Sequence, residues 1–188
     1  MDNLVQAKPA PRLFPLSGNA GGEHCRPVNG GARFLLRLPA AAVAPAAEAL
    51  GADLTAPINR ACAMGGGVTL RLGPDEWLLL LPEAEAFGVL ATLEARLTDS
   101  CYSVTDISHR QTAITIEGAA ATAILNGGCP LDFDIEAFPA GTATRTIFLK
   151  AEIVLWRQSE TRFHLEVWRS FAPYVWDLLT IISREYTS

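Results

Sequence analysis

The sequence has few charged residues and no concentration of charge of one sign. Of its 188 residues, 15 are Lys or Arg and 20 are Asp or Glu, which gives a net charge of −5. Because the basic residues are scattered, the chain does not fit a general nucleic-acid or anionic-membrane binder. It also lacks an uncharged apolar run of membrane-spanning length, although 49% of its residues are hydrophobic. This composition favours a subunit that buries surface on a partner.

Motifs of metal, phosphate and nucleophilic chemistry are missing as well. No C-x-x-C pair and no histidine at zinc-finger spacing accompany the cysteines, so we expect reduced, mostly buried thiols at Cys25, Cys62, Cys101 and Cys129. The glycine run 65–67 precedes a predicted strand and lacks a following Lys-Ser/Thr pair, which argues against a phosphate loop. There is also no G-x-S-x-G nucleophile elbow.

Proline and glycine are concentrated in residues 1–31, which we expect to form an extended N-terminal arm. Proline fixes φ and lacks an amide donor, and glycine is costly to order, so the arm should be mobile or lie along another subunit. It lacks the basic and apolar regions of a signal peptide, which leads us to expect a cytoplasmic protein. Residues 32–188 are expected to form the folded domain.

The first half of this domain, residues 32–108, has the pattern of a split β-α-β unit. A Gly-Pro-Asp-Glu sequence between two apolar strands predicts a tight hairpin turn. The expected elements are a strand at 34–38, a helix ending at Gly51, strands at 68–72 and 77–81, a helix at 82–97 and a strand at 102–107. The apolar face of the second helix should contain Phe87, Leu90, Leu93 and Leu97.

Residues 109–188 follow without a linker and form a second α+β half. The expected elements are a strand at 110–117, a short helix at 118–126, strands at 142–149, 152–157 and 162–168, and a final helix. We expect Ser170 to cap that helix, whose buried face should contain Phe171, Val175, Leu178 and Ile182. The fold class is therefore α+β, with two ferredoxin-like halves merged in one domain.

Three polar residues, Asp106, Ser108 and His109, are close enough in sequence to suggest a catalytic triad. In a strand or tight turn their side chains point in different directions, and triad members normally come from separate elements. We therefore expect Asp106 and Ser108 to bind local backbone donors and none of the three to be catalytic. Asp132 and Asp134 are expected to be solvated loop acids.

An aromatic and cationic segment at the last strand-to-helix junction is the candidate partner interface. Trp168, Arg169 and Phe171 belong to the residue types that anchor protein interfaces. By contrast, neither His24, in the arm, nor His164, in a strand, has the further ligands that a metal site needs. We therefore expect interface residues here and no catalytic, cofactor-binding or metal-binding residues in this chain.

Five motifs, in order along residues 33–188, resemble the gamma subunit of heterotetrameric sarcosine oxidase. Each motif alone is weak, but five in register are specific. They are Leu72-Gly-Pro-Asp-Glu-Trp-Leu78, Asp106-Ile-Ser-His-Arg110, Gly127-Gly-Cys-Pro-Leu-Asp132, Phe138-Pro-Ala-Gly141 and Val167-Trp-Arg-Ser-Phe-Ala-Pro-Tyr174.

That gamma subunit is in turn similar to the folate-binding part of the glycine-cleavage T-protein, an aminomethyltransferase. This second resemblance implies that the two halves merge as in the T-protein folate-binding domain. Where the T-protein has a methionine facing the folate, this chain has Arg110, and after a shortened loop Glu152 is the residue that could stand for the catalytic acid. The T-protein asparagine after the next strand is replaced around residues 168–170. The resemblance thus implies a folate-domain scaffold that has lost its chemistry and kept its packing.

The resemblance also implies what the whole complex does. Such an enzyme oxidises the N-methyl group of sarcosine to give glycine, hydrogen peroxide and either formaldehyde or methylene-tetrahydrofolate. Its alpha and beta chains carry FAD, FMN, NAD and the tetrahydrofolate site, and its delta chain carries zinc. None of these ligands is implied for this chain, which we expect to be a non-catalytic structural partner of the alpha, beta and delta chains.

Two alternatives remain open from the sequence. One is a folate-binding module or a folate-dependent, aminomethyltransferase-like enzyme, which Glu152 and the scaffold allow. The other is the gamma subunit of a related complex that demethylates a different N-methyl amine. The first would be recognised by binding of tetrahydrofolate, and the second by the large chains that co-purify.

Overall fold

The computed structural model describes residues 24–186, which form ten strands and four α-helices. Two short 3-10 turns, Glu83–Glu85 and Arg184–Tyr186, adjoin the second and fourth helices. The elements in chain order are β1 (Cys25–Val28), β2 (Ala32–Arg37), α1 (Ala40–Leu50), β3 (Ala61–Met64), β4 (Gly67–Arg71), β5 (Glu76–Leu81), α2 (Ala86–Arg96), β6 (Ser103–Asp106), β7 (Gln111–Glu117), α3 (Ala121–Asn126), β8 (Ala143–Phe148), β9 (Ala151–Ser159), β10 (Arg162–Trp168) and α4 (Ala172–Ser183).

The first sheet is the split β-α-β unit that the sequence predicts, with one added strand. Its order is β3-β4-β5-β2-β6, and all neighbouring strands are antiparallel. The strands β2, β4, β5 and β6 have the neighbours of a ferredoxin-like unit, and β3 extends the edge beside β4. Helix α1 ends as predicted, because Gly51 adopts the left-handed conformation with a φ of 59°.

The second sheet repeats this arrangement but takes one strand from the start of the described chain. Its order is β1-β7-β10-β9-β8, and β1 pairs antiparallel with β7. The predicted arm boundary at residue 31 is therefore too late, because residues 25–28 belong to the folded body and Cys25 is only 2% exposed. Pro27 is compatible with this strand because an edge position does not need every amide donor. The rest of the predicted arm, residues 1–23, lies outside the described residues.

Three hydrophobic clusters show how the layers stack. One packs the second sheet against α3 and α4, and another packs the first sheet against α1 and α2. The third contains residues of both sheets, including Leu70 and Leu78 of the first and Val154 of the second. The two sheets therefore face each other, with helices on the outside, and the α+β class is confirmed.

Two helix faces differ from the sequence prediction. Phe87, in the first turn of α2, is 76% exposed, whereas Leu93 and Leu97 are buried. At 100° per residue, Phe87 lies about 120° around the helix from Leu93, which turns it away from the core. Helix α4 begins after Phe171 without a side-chain cap, so Ser170 does not cap it, and its buried face includes Trp176 in place of Phe171.

Candidate functional site

The end of β6 and the loop that follows it hold the three residues that suggest a triad, and the side chains of Asp106 and Ser108 bind the backbone there. Asp106 Oδ1 accepts a hydrogen bond from the Ser108 amide at 2.8 Å. Ser108 Oγ accepts one from the Arg33 amide at 2.9 Å, which ties the loop to the neighbouring strand β2. The His109 ring is exposed, and within residues 24–186 no hydrogen bond joins it to Asp106 or Ser108. The arrangement is a turn that satisfies backbone donors, as predicted.

A recess lies between the two sheets, next to this loop. Its polar lining comes from the second half of the chain, and its apolar lining includes Leu35 and Leu78 from the first sheet and Val154 from the second. Its volume is about 20 Å³, which is room for about one water molecule. Ligand pockets measure about 300–1,000 Å³. The polar residues around it are Arg110, Gln111, Arg145, Glu152, Glu166 and Trp168.

A buried ionic network joins the two halves beside the recess. Glu166 of β10 accepts a hydrogen bond from Arg33 Nε of β2 at 2.7 Å, and its other oxygen lies 2.8 Å from His164 Nε2. The side chains of Glu166 and Arg33 are 1% and 5% exposed. Glu166 and His164 lie on one face of β10 because they are two residues apart in a strand, but no pattern in the sequence indicates that Arg33 lies opposite them. Pairing of this kind offsets the cost of burying the charges.

A second ionic contact crosses the sheets closer to the surface. Glu76, at the start of β5, pairs with Arg37 of its own sheet and with Arg145 of the other sheet. Glu152 is half-exposed, and its carboxylate lies 4.0 Å from Arg145 Nε. The residue that could stand for the T-protein acid is therefore part of a surface ion pair rather than of an enclosed site. Sequence analysis missed Glu76, because its partner is distant along the chain.

The predicted interface residues lie together at the junction of β10 and α4. The Arg110 guanidinium stacks over the Trp168 ring at 5.1 Å, and Arg169 Nη1 donates to the His109 carbonyl at 3.3 Å. Trp168 is 38% exposed and Phe171 is 41% exposed. This surface, defined by Arg110, Trp168, Arg169 and Phe171, is called the junction patch below. It combines exposed aromatic area with two cations that have no acidic partner among residues 24–186.

The remaining candidate residues are two buried cysteines and two loop acids. Burial raises the pKa of the Cys25 thiol to about 12, and it also raises the pKa of Cys129. Asp132 and Asp134 are exposed and accept hydrogen bonds from the backbone two residues further on, at 2.9 Å and 2.8 Å. Within residues 24–186 no cluster of three or more His, Cys, Asp or Glu could hold a metal ion. Over the same range, every helix is too short or too polar to cross a membrane.

Two facing split β-α-β sheets with outer helices define a fold class that is also found in a known enzyme. The aminomethyltransferase T of the glycine cleavage system from Bartonella henselae superposes with a TM-score of 0.63 at 16% identity, over 85% of this chain and 46% of that chain. At this identity the similarity shows the fold alone. The chain is thus a T-protein-like α+β domain.

Sequence similarity then places the chain in a family. It belongs to the sarcosine oxidase gamma subunit family, whose model matches residues 37–185. The sarcosine oxidase subunit gamma of Corynebacterium sp. strain P-1 is 31% identical over 76% of this chain and 70% of that protein. The subunit gamma of an Arthrobacter species is 32% identical over 63% of this chain and 58% of that protein.

A solved structure supports the same placement. A chain of the heterotetrameric sarcosine oxidase from Corynebacterium sp. U-96, determined in complex with pyrrole 2-carboxylate, superposes with a TM-score of 0.80. The match has 29% identity and covers 87% of this chain and 85% of that chain. The family resemblance drawn from the five motifs is therefore confirmed.

Proposed function

We propose that this chain is a non-catalytic structural subunit of a heterotetrameric sarcosine oxidase. In this role it assembles with the alpha, beta and delta chains, and the complex demethylates sarcosine to glycine with release of hydrogen peroxide and formaldehyde or methylene-tetrahydrofolate. The observation that carries the proposal is the family match over residues 37–185 together with a superposition that covers most of both chains. The complex acts in one-carbon metabolism in the cytoplasm.

The non-catalytic role is supported by the size and lining of the recess between the sheets. At about 20 Å³ it has no room for a pterin or a flavin ring without movement of the two sheets. Its buried acid, Glu166, is already engaged by Arg33 and His164. Glu152 lies at the surface beside Arg145. In the proposed complex, FAD, FMN, NAD, tetrahydrofolate and zinc are bound by the other subunits.

The junction patch is the proposed contact with a large chain. Aromatic and arginine side chains contribute most to interface energy when a partner removes them from water. Trp168 and Phe171 are exposed in the single chain, and Arg110 already holds the Trp168 ring in one orientation. Such a pre-positioned side chain loses little rotamer freedom when a partner binds.

The test is co-purification of this chain with a tagged large chain expressed from the same host. The double variant Trp168→Ala/Arg169→Ala is expected to reduce the amount retained by about tenfold or more, as for hot-spot residues. The matched control, Phe87→Ala/Arg96→Ala, removes an exposed aromatic and an arginine from α2 and should leave retention unchanged.

Other outcomes decide against parts of the proposal. If the full chain is a soluble monomer that binds tetrahydrofolate at micromolar concentration in calorimetry, it is a folate-binding module instead. If the assembled complex oxidises another N-methyl amine in preference to sarcosine, the chain belongs to a related demethylase. Retention of the double variant at the wild-type level would remove the junction patch from the interface.

A further inference from the structure

The outer edge of β8 already pairs with another part of the main chain at one end. There, residues 59–61 of the first half lie against the residues that begin the strand. The Ala143 amide donates to the Asn59 carbonyl at 2.9 Å, and the Ala61 amide donates to the Gly141 carbonyl at 2.8 Å. This edge is therefore accessible to main-chain pairing. Residues 59–61 of the same chain pair with its first part.

Further along β8 the same edge has no such cover. Consecutive residues of an antiparallel strand direct their main-chain groups to opposite sides, and Ala143 faces outward. Arg145 and Ile147 therefore also face outward, whereas Thr144 and Thr146 face β9. Over residues 24–186 the outward groups of Arg145 and Ile147 receive only one hydrogen bond, a long one of 3.4 Å from the Thr144 hydroxyl to the Arg145 carbonyl.

The three other sheet edges are shorter, and one is also protected. The edge strands β1, β3 and β6 have four residues each, and β1 contains Pro27. In contrast, β8 has six residues and no proline. Short strands and prolines are the usual means of preventing a sheet from gaining a further strand. The edge of β8 is the one best suited to gain one.

The side chains along this edge indicate what would bind there. Ile147 is 46% exposed, and Leu149, in the turn that follows, is 45% exposed. Of the two cations in the segment 141–150, Arg145 already pairs with Glu76 and Glu152, whereas Lys150 has no ion pair within residues 24–186. An extended peptide with an apolar residue beside Ile147 and an acidic residue near Lys150 is complementary to it.

We propose that an extended segment of a large subunit, with an acidic residue near Lys150, adds to the second sheet as a strand beside β8. Its main chain pairs with the outward N–H and C=O groups of Arg145 and Ile147, in line with residues 59–61. Its apolar side chain covers Ile147. The proposal rests on the proposed function, because the partner is taken from that complex.

Amide hydrogen exchange of the full chain, alone and in the assembled complex, tests the pairing directly. In the free chain the Arg145 and Ile147 amides should exchange like exposed groups, and in the complex they should slow by about 100-fold or more. The Thr144 and Thr146 amides should be protected in both. Fast exchange at Arg145 and Ile147 in the complex would overturn the proposal. Protection already present in the free chain would overturn it too, because residues 1–23 or a second copy would then occupy the edge.

Proline and alanine substitutions at Ile147 separate the contribution of the main-chain hydrogen bond to assembly from that of the side chain. Ile147→Pro removes an outward N–H, which an edge strand tolerates, and should reduce co-purification with a tagged large chain by about tenfold. The matched control Ile147→Ala removes most of the side chain but keeps the amide, so it should reduce co-purification less than Ile147→Pro does. Thermal melting verifies the fold, with Thr146→Pro, which removes an inward N–H, as the comparison for structural damage.

The outcomes distinguish this proposal from the one on which it rests. Assembly of Ile147→Pro at the wild-type level would refute strand addition and leave the proposed function standing. Failure of the wild-type chain to join any large chain would refute the proposed function and this proposal with it. If Ile147→Pro does not fold, the exchange data on the wild-type chain decide.

Discussion

Replacing Glu166 with Gln removes the negative charge that holds Arg33 and His164 between the two sheets. The carboxylate is 1% exposed and accepts from Arg33 Nε at 2.7 Å, with His164 Nε2 at 2.8 Å from its other oxygen. Glutamine has nearly the same shape, so the packing should stay intact. The Arg33 guanidinium would then be buried without a negative charge beside it, and its acceptors would be the glutamine oxygen and the carbonyls of Gly30 and Gly31, which lie at 3.2 Å and 3.1 Å.

The expected cost follows from this geometry. Breaking a buried ion pair by removing one partner costs about 3–5 kcal/mol, because the other charge stays buried and unpaired. Since the two carbonyls and the glutamine oxygen still accept hydrogen bonds, we expect a loss near the lower end, about 3 kcal/mol. That is a large share of the total stability of a domain, about 5–15 kcal/mol. Removing both charges with Arg33→Met/Glu166→Leu should return the free energy of unfolding to within about 1 kcal/mol of the wild type.

Urea denaturation of the full chain, followed by tryptophan fluorescence, measures these differences. Glu152→Gln is the matched control, because it removes a half-exposed carboxylate and should change stability little. A loss below about 1 kcal/mol for Glu166→Gln would refute the argument that the buried pair holds the halves together. So would a double variant as unstable as the sum of its two single variants, because that result would show no coupling between Arg33 and Glu166.

The remaining predictions concern single residues. His109→Gln should leave turnover of the assembled oxidase within about threefold, because the ring is exposed and loss of a general acid or base costs about 100-fold or more. With its pKa raised to about 12 by burial, Cys25 should be about one part in 10⁴ thiolate at pH 8, so a thiol reagent should label exposed Cys101 first and Cys25 only after unfolding. Gly128→Ala should lower the melting temperature, because the new Cβ would lie 2.6 Å from the buried Phe148 ring.

Local elements were predictable because their signals lie within a few residues of one another. The turn between β4 and β5, the end of α1 at Gly51 and the strand alternation of β10 all follow from short-range rules. The backbone roles of Asp106 and Ser108 were predictable for the same reason. The orientation of α2 about its axis was not predictable, because the helical spacing of apolar residues did not show that Phe87 lies on the solvent side.

The site residues that the sequence missed have partners that are far away along the chain. Arg33 meets Glu166, and Glu76 meets Arg145, only after the two sheets have packed face to face. A single sequence contains no spacing rule for such pairs, because the distance between partners depends on the whole intervening fold. The recess beside them could not be predicted for the same reason.

The sequence by itself determined the α+β class, most element positions and, through five ordered motifs, the family. Only the tertiary structure decided that residues 25–28 complete the sheet of the second half and that the buried charges lie between the sheets. The physical reason is that hydrophobic periodicity specifies which face of an element is buried but not which other element covers it. A short strand such as Cys25–Val28, with a proline inside it, has almost no pattern of its own, and its place depends on the unpaired edge that β7 offers.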